Sequence, residues 1–358
     1  MYYLYPDYYK KFHCIADKCI DTCCAEWQIV IDDESLEKYR NYKGDYQQTL
    51  CQNIDWEEGV FGHNKRGKCA FLRDDDLCDM YIHMGEDSLC TTCREYPRHT
   101  EEFENLREIT LSLSCPEVAK IVMNTTEPIT FVTKEDETDE CYEEFDYFLF
   151  SELEDVREEM IRIIQDRNVN LRDRIDKILQ ISVSVQRHYD AGSLISWNEF
   201  EESDRVCVEN EYELFERLFL FLFEEFEILY PQWAEVLVES RLFLFGEGKK
   251  VFEQNKEEFE TWWNTSNLTP LDIVLEQLVV YFISVYLLGA VYDENILGKV
   301  DACIGHTIEI YLLLLGRWLK HGELAMDDVI EVVYRYSLEI EHSDENLERA
   351  EMLNWFAR

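Results

Sequence analysis

Cysteine is the residue of this chain whose number and spacing point most directly to chemistry. Ten of the thirteen cysteines lie in the first 115 residues. The first group reads Cys14-x4-Cys19-x3-Cys23-Cys24, and those that follow it include Cys69, Cys78, Cys90, Cys93 and Cys115. Grouped thiolates are the soft ligands that zinc ions and iron–sulfur clusters prefer. Because the total is odd and the clustering uneven, the pattern predicts a metal centre rather than a disulfide framework.

The spacing leaves the type and number of metal centres open. A simple zinc ribbon has two C-x2-C pairs, whereas this chain has one, Cys90/Cys93. The other groupings fit an iron–sulfur cluster or an unusual zinc site. Eight or nine cysteines exceed the four that one cluster or one zinc ion needs, so either two sites form or some thiols are bystanders. The metal either takes part in the chemistry or only holds a loop-rich lobe together.

Two regions must position these cysteines. The sequence predicts that residues 1–125 form an irregular, cysteine-rich metal-binding lobe with a few short strands. One strand is predicted at 28–31, and a second at 107–115, where apolar and polar residues alternate. Pro116 then opens a predicted helix, Glu117–Met123, and a connector with a short strand follows. Residues 126–358 are predicted to form an acidic, multi-helix domain, so the predicted fold class is mainly α.

Apolar residues recur at helical spacing through the second region. Helices are predicted at 135–167, 171–188, 208–230, 231–244, 250–264, 270–292, 298–321, 326–341 and 343–356. The longest nearly apolar run, Leu278–Tyr292, has fifteen residues, short of the roughly twenty that span a bilayer. We therefore predict a buried core helix there and no membrane insertion. Residues 1–10 lack the apolar stretch of a secretory signal, which favours a cytoplasmic protein.

The chain is strongly acidic, with 76 acidic and 34 basic side chains and a formal charge of −42. Residues 121–358 carry −32 of it. Such a field repels phosphates, so nucleic acid is excluded as a partner, whereas a lysine-rich protein surface would be attracted. The alternative is that solvated helix faces are simply acidic. A G-x-G-x-x-G nucleotide fingerprint is absent from the sequence, and Phe245–Lys249 (FGEGK) predicts a turn.

Several motifs within residues 12–120 resemble those of the flagellin lysine-N-methylase family, and the lobe also resembles zinc- or iron-chelating cysteine cluster domains. The motifs agree in order, spacing and flanking residues. They are Cys14-x4-Cys19-x3-Cys23-Cys24-x2-Trp27, Cys69-x-Phe71-Leu72, Cys78, Leu89-x3-Cys93-Arg94-x-Tyr96-Pro97-Arg98 and Leu113-Ser114-Cys115-Pro116-Glu117.

The resemblance implies a protein lysine N-methyltransferase that uses S-adenosylmethionine, acts on flagellin lysines and carries a 4Fe–4S cluster, with zinc as the alternative metal. The ligands that it implies are Cys14, Cys19, Cys23, Cys24, Cys69, Cys78, Cys93 and Cys115. Cys90 stands where the cysteine cluster domains often have a proline. Radical enzymes that use this donor carry C-x3-C-x2-C, but the position that would complete it after Cys19 and Cys23 is Glu26, so the motif does not support radical chemistry.

Methyl transfer to lysine requires a deprotonated amine, whose unperturbed pKa is about 10.4, and an aromatic or carboxylate environment for the sulfonium donor. Residues beside the cysteines are the candidates: Glu26 and Tyr96 for catalysis, Trp27 and Arg98 for binding the donor. Residues of these types also commonly serve in packing or ion pairs. The alternative function is a non-catalytic, metal-stabilised binding or redox module. The sequence leaves the oligomeric state open.

Overall fold

The computed structural model describes residues 1–24, 28–65, 67–138, 146–193, 210–352 and 355–356. Helices dominate, and every strand in this part of the chain lies before residue 136. The predicted fold class, mainly α with an irregular cysteine-rich N-terminal lobe, is confirmed. We call residues 1–125 the cysteine lobe and residues 126–358 the helical domain. The boundary between them stays a prediction.

The strands form one four-stranded sheet and one small hairpin. In chain order they are β1 (Tyr2–Pro6), β2 (Ile54–Asp55), β3 (Val60–Phe61), β4 (Arg98–Phe103), β5 (Leu106–Leu111) and β6 (Phe131–Glu135). The sheet has the order β4-β5-β1-β6, and β1 pairs in parallel with β5 and antiparallel with β6. Tyr2 therefore lies between Leu106 and Glu135. This sheet joins the start of the chain to the segment that enters the helical domain.

Five short helices complete the cysteine lobe. They are α1 (Asp33–Asn41), α2 (Gln47–Asn53), α3 (Asp79–Met84), α4 (Thr91–Glu95) and α5 (Pro116–Met123). Pro116 occupies the first turn of α5 as predicted, because its missing N–H has no helical partner there. The strand predicted at 107–115 ends at Leu111, since the chain turns before Cys115 caps α5. The strand predicted at 28–31 is only a single bridge between Val30 and Val60.

The helical domain follows the predicted order, with shifted ends. Its helices are α6 (Tyr147–Ile164), α7 (Leu171–Asp190), α8 (Glu211–Glu224), α9 (Pro231–Phe245), α10 (Lys249–Thr265), α11 (Leu271–Tyr286), α12 (Ala290–Asp293), α13 (Ile296–His321), α14 (Met326–Glu341) and α15 (Asp344–Glu351). The helix predicted from 135 begins at Tyr147, because residue 135 belongs to β6 and residues 139–145 lie outside the described part. The predicted Phe245–Lys249 turn lies between α9 and α10, where Gly248 has a φ of 79°.

Helices α11 and α13 form the centre of the main core. The helix predicted at 270–292 is interrupted by a 3-10 turn, Leu287–Gly289. By length and composition the stretches Leu271–Asp293 and Ile296–His321 could cross a membrane, but 72% and 78% of their apolar windows are buried inside the protein. The fully buried Glu276 on α11 accepts hydrogen bonds from Arg167 and Arg174, at 2.8 and 2.6 Å. Both stretches are therefore buried in the core of the protein.

A second buried ion pair docks the sheet on the helical domain. Glu108 of β5 accepts a hydrogen bond of 2.7 Å from Arg157 of α6, and Arg157 also donates to the carbonyl oxygen of Ser284 on α11. Both charged groups are buried, so each needs the other as a partner. This pair fixes β5, and the chain that leaves it toward Cys115, against the helices.

Candidate functional site at the junction of the cysteine lobe and the helical domain

Four thiols from separate stretches of the cysteine lobe form a first group: Cys14, Cys19, Cys23 and Cys115. Cys115 is buried at the N-terminus of α5. Burial raises its pKa to about 11, and the negative charges of Cys19 and Cys14 add to the effect, although the N–H groups of the first turn oppose it. Burial also raises the pKa of Cys19, and Cys14 again contributes. These four thiols therefore lie within electrostatic reach of one another.

Five other thiols form a second group: Cys24, Cys69, Cys78, Cys90 and Cys93. They belong to, or pack against, a small hydrophobic core that is separate from the main one. Burial raises the pKa of Cys69 to about 12, and the charges of Cys24, Cys78 and Cys90 add to it. Cys93 donates a hydrogen bond to Cys90, one turn earlier at the start of α4, which lowers the pKa of Cys90 and raises that of Cys93.

The neighbouring residues Cys23 and Cys24 connect the two groups. Cys23 donates a hydrogen bond to the Cys24 sulfur, which raises the pKa of Cys23 and lowers that of Cys24. The Cys24 carbonyl accepts a bond of 2.7 Å from the Cys69 amide, whereas the charges of Cys14 and Cys115 act on Cys23. The crowded first motif therefore supplies thiols to both groups.

The donor chemistry of both groups suits soft metals. The eleven cysteines within the described residues are free thiols. Within the same residues, no three His, Cys, Asp or Glu side chains converge closely enough to hold one metal ion as they are placed. In an iron–sulfur cluster each cysteine binds a different iron atom, so its thiols need not meet at one point. The chemistry of the four thiols in the first group suits such a cluster.

Tyr96 and His342 meet beside the first thiol group, at the junction of the two regions. The Tyr96 hydroxyl lies 3.0 Å from the Ser114 hydroxyl, and the same Ser114 oxygen lies 3.0 Å from His342 Nε2. The two rings make an edge contact at 6.2 Å. Burial raises the pKa of Tyr96, and the charges of Cys115 and Cys23 raise it further. A polar cluster thus adjoins the thiols without containing them.

Glu341 extends this cluster toward the main core. Ser112 donates to its carboxylate at 2.6 Å, and the Tyr281 hydroxyl donates at 3.0 Å. The Tyr281 oxygen also accepts the amide N–H of Leu113 at 3.2 Å, so one hydroxyl bridges the lobe and α14. Burial raises the pKa of Glu341, and the bonds from Ser112 and Tyr281 partly oppose it.

Burial lowers the pKa of His342 to about 4, so its imidazole is neutral at pH 7. Its Nε2 lies against the Ser114 hydroxyl and its Nδ1 has no exposed surface, so the imidazole is held inside the cluster. Tyr96 and His342 both keep some exposed surface. The junction therefore holds a phenol and a neutral imidazole in one hydrogen-bonded cluster, with a carboxylate behind them.

Of the predicted site residues, Tyr96 lies in this cluster. Arg98 packs elsewhere: its guanidinium lies over the rings of Tyr9 and Phe12, and its Nε donates to the Tyr9 hydroxyl at 3.1 Å. Glu26 and Trp27 lie outside the described residues. Sequence reasoning missed the roles of Ser112, Tyr281, Glu341 and His342. Ser114, the other serine of the cluster, lies inside the motif Leu113–Glu117 that the sequence analysis identified.

Known proteins similar to this chain are lysine methylases and a flagellar protein. A family model described as the FliB lysine N-methylase C-terminal domain matches residues 157–356, more than half of the chain. The lysine-N-methylase of Salmonella typhimurium is 30% identical over 128 residues, which cover 33% of this chain and 32% of that protein. A second one, from Salmonella choleraesuis, matches with the same identity and coverage.

The flagellar biosynthetic protein FliU of Salmonella muenchen is also 30% identical over 128 residues, and 75% of its length is covered. The matched part of the chain thus spans about a third of the two methylases and three quarters of FliU. No solved structure matches the chain.

Proposed function

This chain belongs to the FliB lysine N-methylase family, and from that premise we propose that it transfers methyl groups from S-adenosylmethionine to lysine side chains of flagellin. The names of the matched methylases support protein lysine methylation as the activity. The name of FliU supports a flagellar protein as the substrate. A net charge of −42 suits a lysine-bearing partner, because it attracts cationic surfaces.

One observation supports the chemistry most directly: the neutral His342 imidazole lies beside Tyr96 at the junction of the two regions. A lysine ammonium has no lone pair to offer, so a methylase must first remove its proton. The His342 pKa is too low for the imidazole to remove that proton, so desolvation of the lysine side chain at the junction must lower the pKa of its amine and release the proton to water. Pockets and reactive groups also concentrate where two structural regions meet.

In the proposed step, the amine lone pair of lysine forms the new N–CH₃ bond. The S–CH₃ bond of the donor breaks, and its electron pair remains on sulfur, which leaves a neutral thioether. The amine proton has already left to water, and the contacts with Ser114 and Tyr96 hold the His342 ring in place beside the amine.

We also propose that the first thiol group holds the 4Fe–4S cluster, with Cys14, Cys19, Cys23 and Cys115 as its ligands. Zinc is the alternative metal. When bound, a cluster supplies a redox-active centre and cross-links the N-terminal loop to α5. Cys24, Cys69, Cys78 and Cys93 remain ligand candidates in the second group. Free thiols are typical of a reducing compartment, so we keep the cytoplasm as the proposed location.

The test is an assay of purified, oxygen-protected protein with labelled S-adenosylmethionine and flagellin, read by mass spectrometry of flagellin lysines. We expect methylated lysines with the native chain. His342→Gln should lower the rate about fivefold to tenfold, because it removes an imidazole hydrogen bond worth about 1–1.5 kcal/mol from the cluster beside the amine. Tyr96→Phe should lower it less. Tyr81→Phe, which changes an exposed tyrosine of α3, is the matched control and should leave the rate unchanged.

A chain that carries its full metal content and yet methylates no lysine would rule out the proposed activity. The alternative, a non-catalytic metal-stabilised module, predicts that calorimetry detects no binding of S-adenosylmethionine. Metal analysis and a visible spectrum of the same preparation distinguish an iron–sulfur cluster from zinc, because only the former absorbs visible light strongly.

A further inference from the structure

The helical domain contains a cleft between α9, α13 and α14 that the proposed chemistry has not used. Its volume is about 420 Å³. Sites for small molecules commonly enclose roughly 300–1,000 Å³ and combine apolar walls with a few polar groups. The cleft therefore has the size of a small-molecule site.

Aromatic side chains of α9 form one wall of the cleft. Trp233 is buried there, whereas Phe243 is 41% exposed. A large apolar ring left in contact with water is a place where a planar ligand can stack and remove that surface from solvent. The neighbouring Leu242 is 67% exposed but does not line the cleft.

The charges in the cleft are nearly balanced, unlike the region around it. Four glutamates and three basic side chains, Arg317, Lys320 and Arg335, line it, although residues 121–358 carry 52 acidic and 20 basic groups. Lys320 pairs with Glu239 at 2.6 Å, and Glu331 receives bonds from Arg317 and Arg335. Exposed pairs of this kind are worth about 1 kcal/mol or less, so they can exchange partners with a ligand that carries both charges.

The cleft ends about one helical turn of α14 before the junction site. Glu331, Arg335 and Leu338 line the cleft, and His342 follows on the same face of the helix, since the four positions are separated by four, three and four residues. With a rise of 1.5 Å per residue, Leu338 and His342 are about 6 Å apart along the axis.

The loop that carries the cysteines lies against the same helix. The Tyr334 hydroxyl is hydrogen-bonded to Asp21, and the charge of Asp21 also acts on Arg335. Asp21 stands between Cys19 and Cys23. The cleft, the first thiol group and the His342 cluster are therefore neighbours along α14.

We propose that this cleft is the binding site for S-adenosylmethionine, an inference that rests on the proposed function. The purine of the donor is the planar group that the exposed ring of Phe243 can cover. Its amino-acid end is a zwitterion, which matches paired carboxylates and cations. A lysine-rich peptide would instead favour a uniformly acidic surface, and the remainder of the helical domain provides that.

The test is calorimetric titration of S-adenosylmethionine, and of S-adenosylhomocysteine, into the metal-loaded 358-residue chain. Phe243→Ala should weaken the binding of both compounds about tenfold or more, the effect of losing one base-stacking ring. Leu242→Ala removes a similar exposed side chain one position away and should leave affinity unchanged. Lys320→Gln should also weaken binding, whereas Lys249→Gln, outside the cleft, should not.

Each outcome bears on a different claim. If the native chain binds the donor and methylates protein, but Phe243→Ala and Lys320→Gln bind as tightly as their controls, the cleft is not the donor site and the proposed function stands. If the metal-loaded native chain binds no donor, the proposed function fails and the assignment of the cleft fails with it. Thermal unfolding of each variant identifies any loss of binding that comes from misfolding.

Discussion

The two hydrophobic cores of this protein differ in the types of residue that form them. The main core runs from Tyr8 to Phe356 and is made almost wholly of aliphatic and aromatic side chains. Among the described residues, the second core, inside the cysteine lobe, has thirteen buried members, and two of them are Cys69 and Cys90. Cys24, Cys78 and Cys93 pack against it.

That difference predicts different sources of stability. A core as small as the second one rarely stabilises a fold without a metal or a disulfide. Its thiols are free, so ligation by metal is the remaining source. The helical domain buries long apolar helices and needs no such support. We therefore expect the two regions to respond differently to metal loss and to substitutions in their cores.

Removal of the metal should give the largest effect. Stripping the protein with a chelator, or replacing both Cys23 and Cys24 by serine, should unfold the second core, between residues 29 and 90, while the main core stays folded. Limited proteolysis should then cut between residues 28 and 90, and far-ultraviolet circular dichroism should retain most of its helical signal. Cys51→Ser, which changes an exposed thiol of α2 outside both groups, is the control. Equal protease resistance with and without metal would mean that the small core suffices.

A substitution in the helical domain should destabilise it without releasing metal. Glu276→Ala leaves Arg167 and the buried Arg174 without their shared carboxylate. The loss of one partner from a buried ion pair costs about 3–5 kcal/mol. Thermal unfolding should show a large fall in melting temperature, and metal content should be unchanged. Glu257→Ala, at an exposed position on α10, should change neither quantity.

The stability of the two cores can be compared directly by one leucine-to-alanine substitution in each. Leu50 in the second core and Leu314 in the main core are both fully buried, and truncation to alanine costs about 2–5 kcal/mol in a packed core. Leu50→Ala should also raise the rate of metal loss, because it loosens the lobe that holds the thiols. Leu314→Ala should not. If both variants release metal at the same rate, the two cores are coupled as one folding unit.

The sequence predicts the helical domain better than the cysteine lobe because helical periodicity is a local signal. Helix α14 has the bounds predicted for it, and α13 begins two residues early. The apolar run through Leu287 predicted one helix, but a 3-10 turn divides it into α11 and α12, and composition carries no signal for that turn. The lobe lacks such periodicity, so its short helices α1 to α4 were not predicted.

Only some residues of the candidate site could be predicted from the sequence. Tyr96 could be found because it stands three residues after Cys93. His342 lies 228 residues from Ser114 along the chain, and Glu341, which precedes it, is one of 76 acidic residues. Neither has a local motif, since their roles arise only when α14 packs against the chain around Ser114. Contacts of this range depend on the tertiary fold.

The smallest effect should come from the hydroxyl that joins the two regions. Tyr281→Phe removes a donor to Glu341 and an acceptor for the Leu113 amide, while the ring stays packed. A lost internal hydrogen bond costs about 1 kcal/mol, and more where a charged group is left unsatisfied, so we expect a loss of about 1–2 kcal/mol. Urea unfolding measures this loss of stability, with Tyr147→Phe, which changes an exposed tyrosine of α6, as the control.

Because the Tyr281 hydroxyl bonds to both sides of the junction, its removal should also widen the difference between the urea concentrations at which the cysteine lobe and the helical domain unfold. A variant whose two regions still unfold together, at native stability, would show that Glu108 and Arg157 are sufficient to couple them.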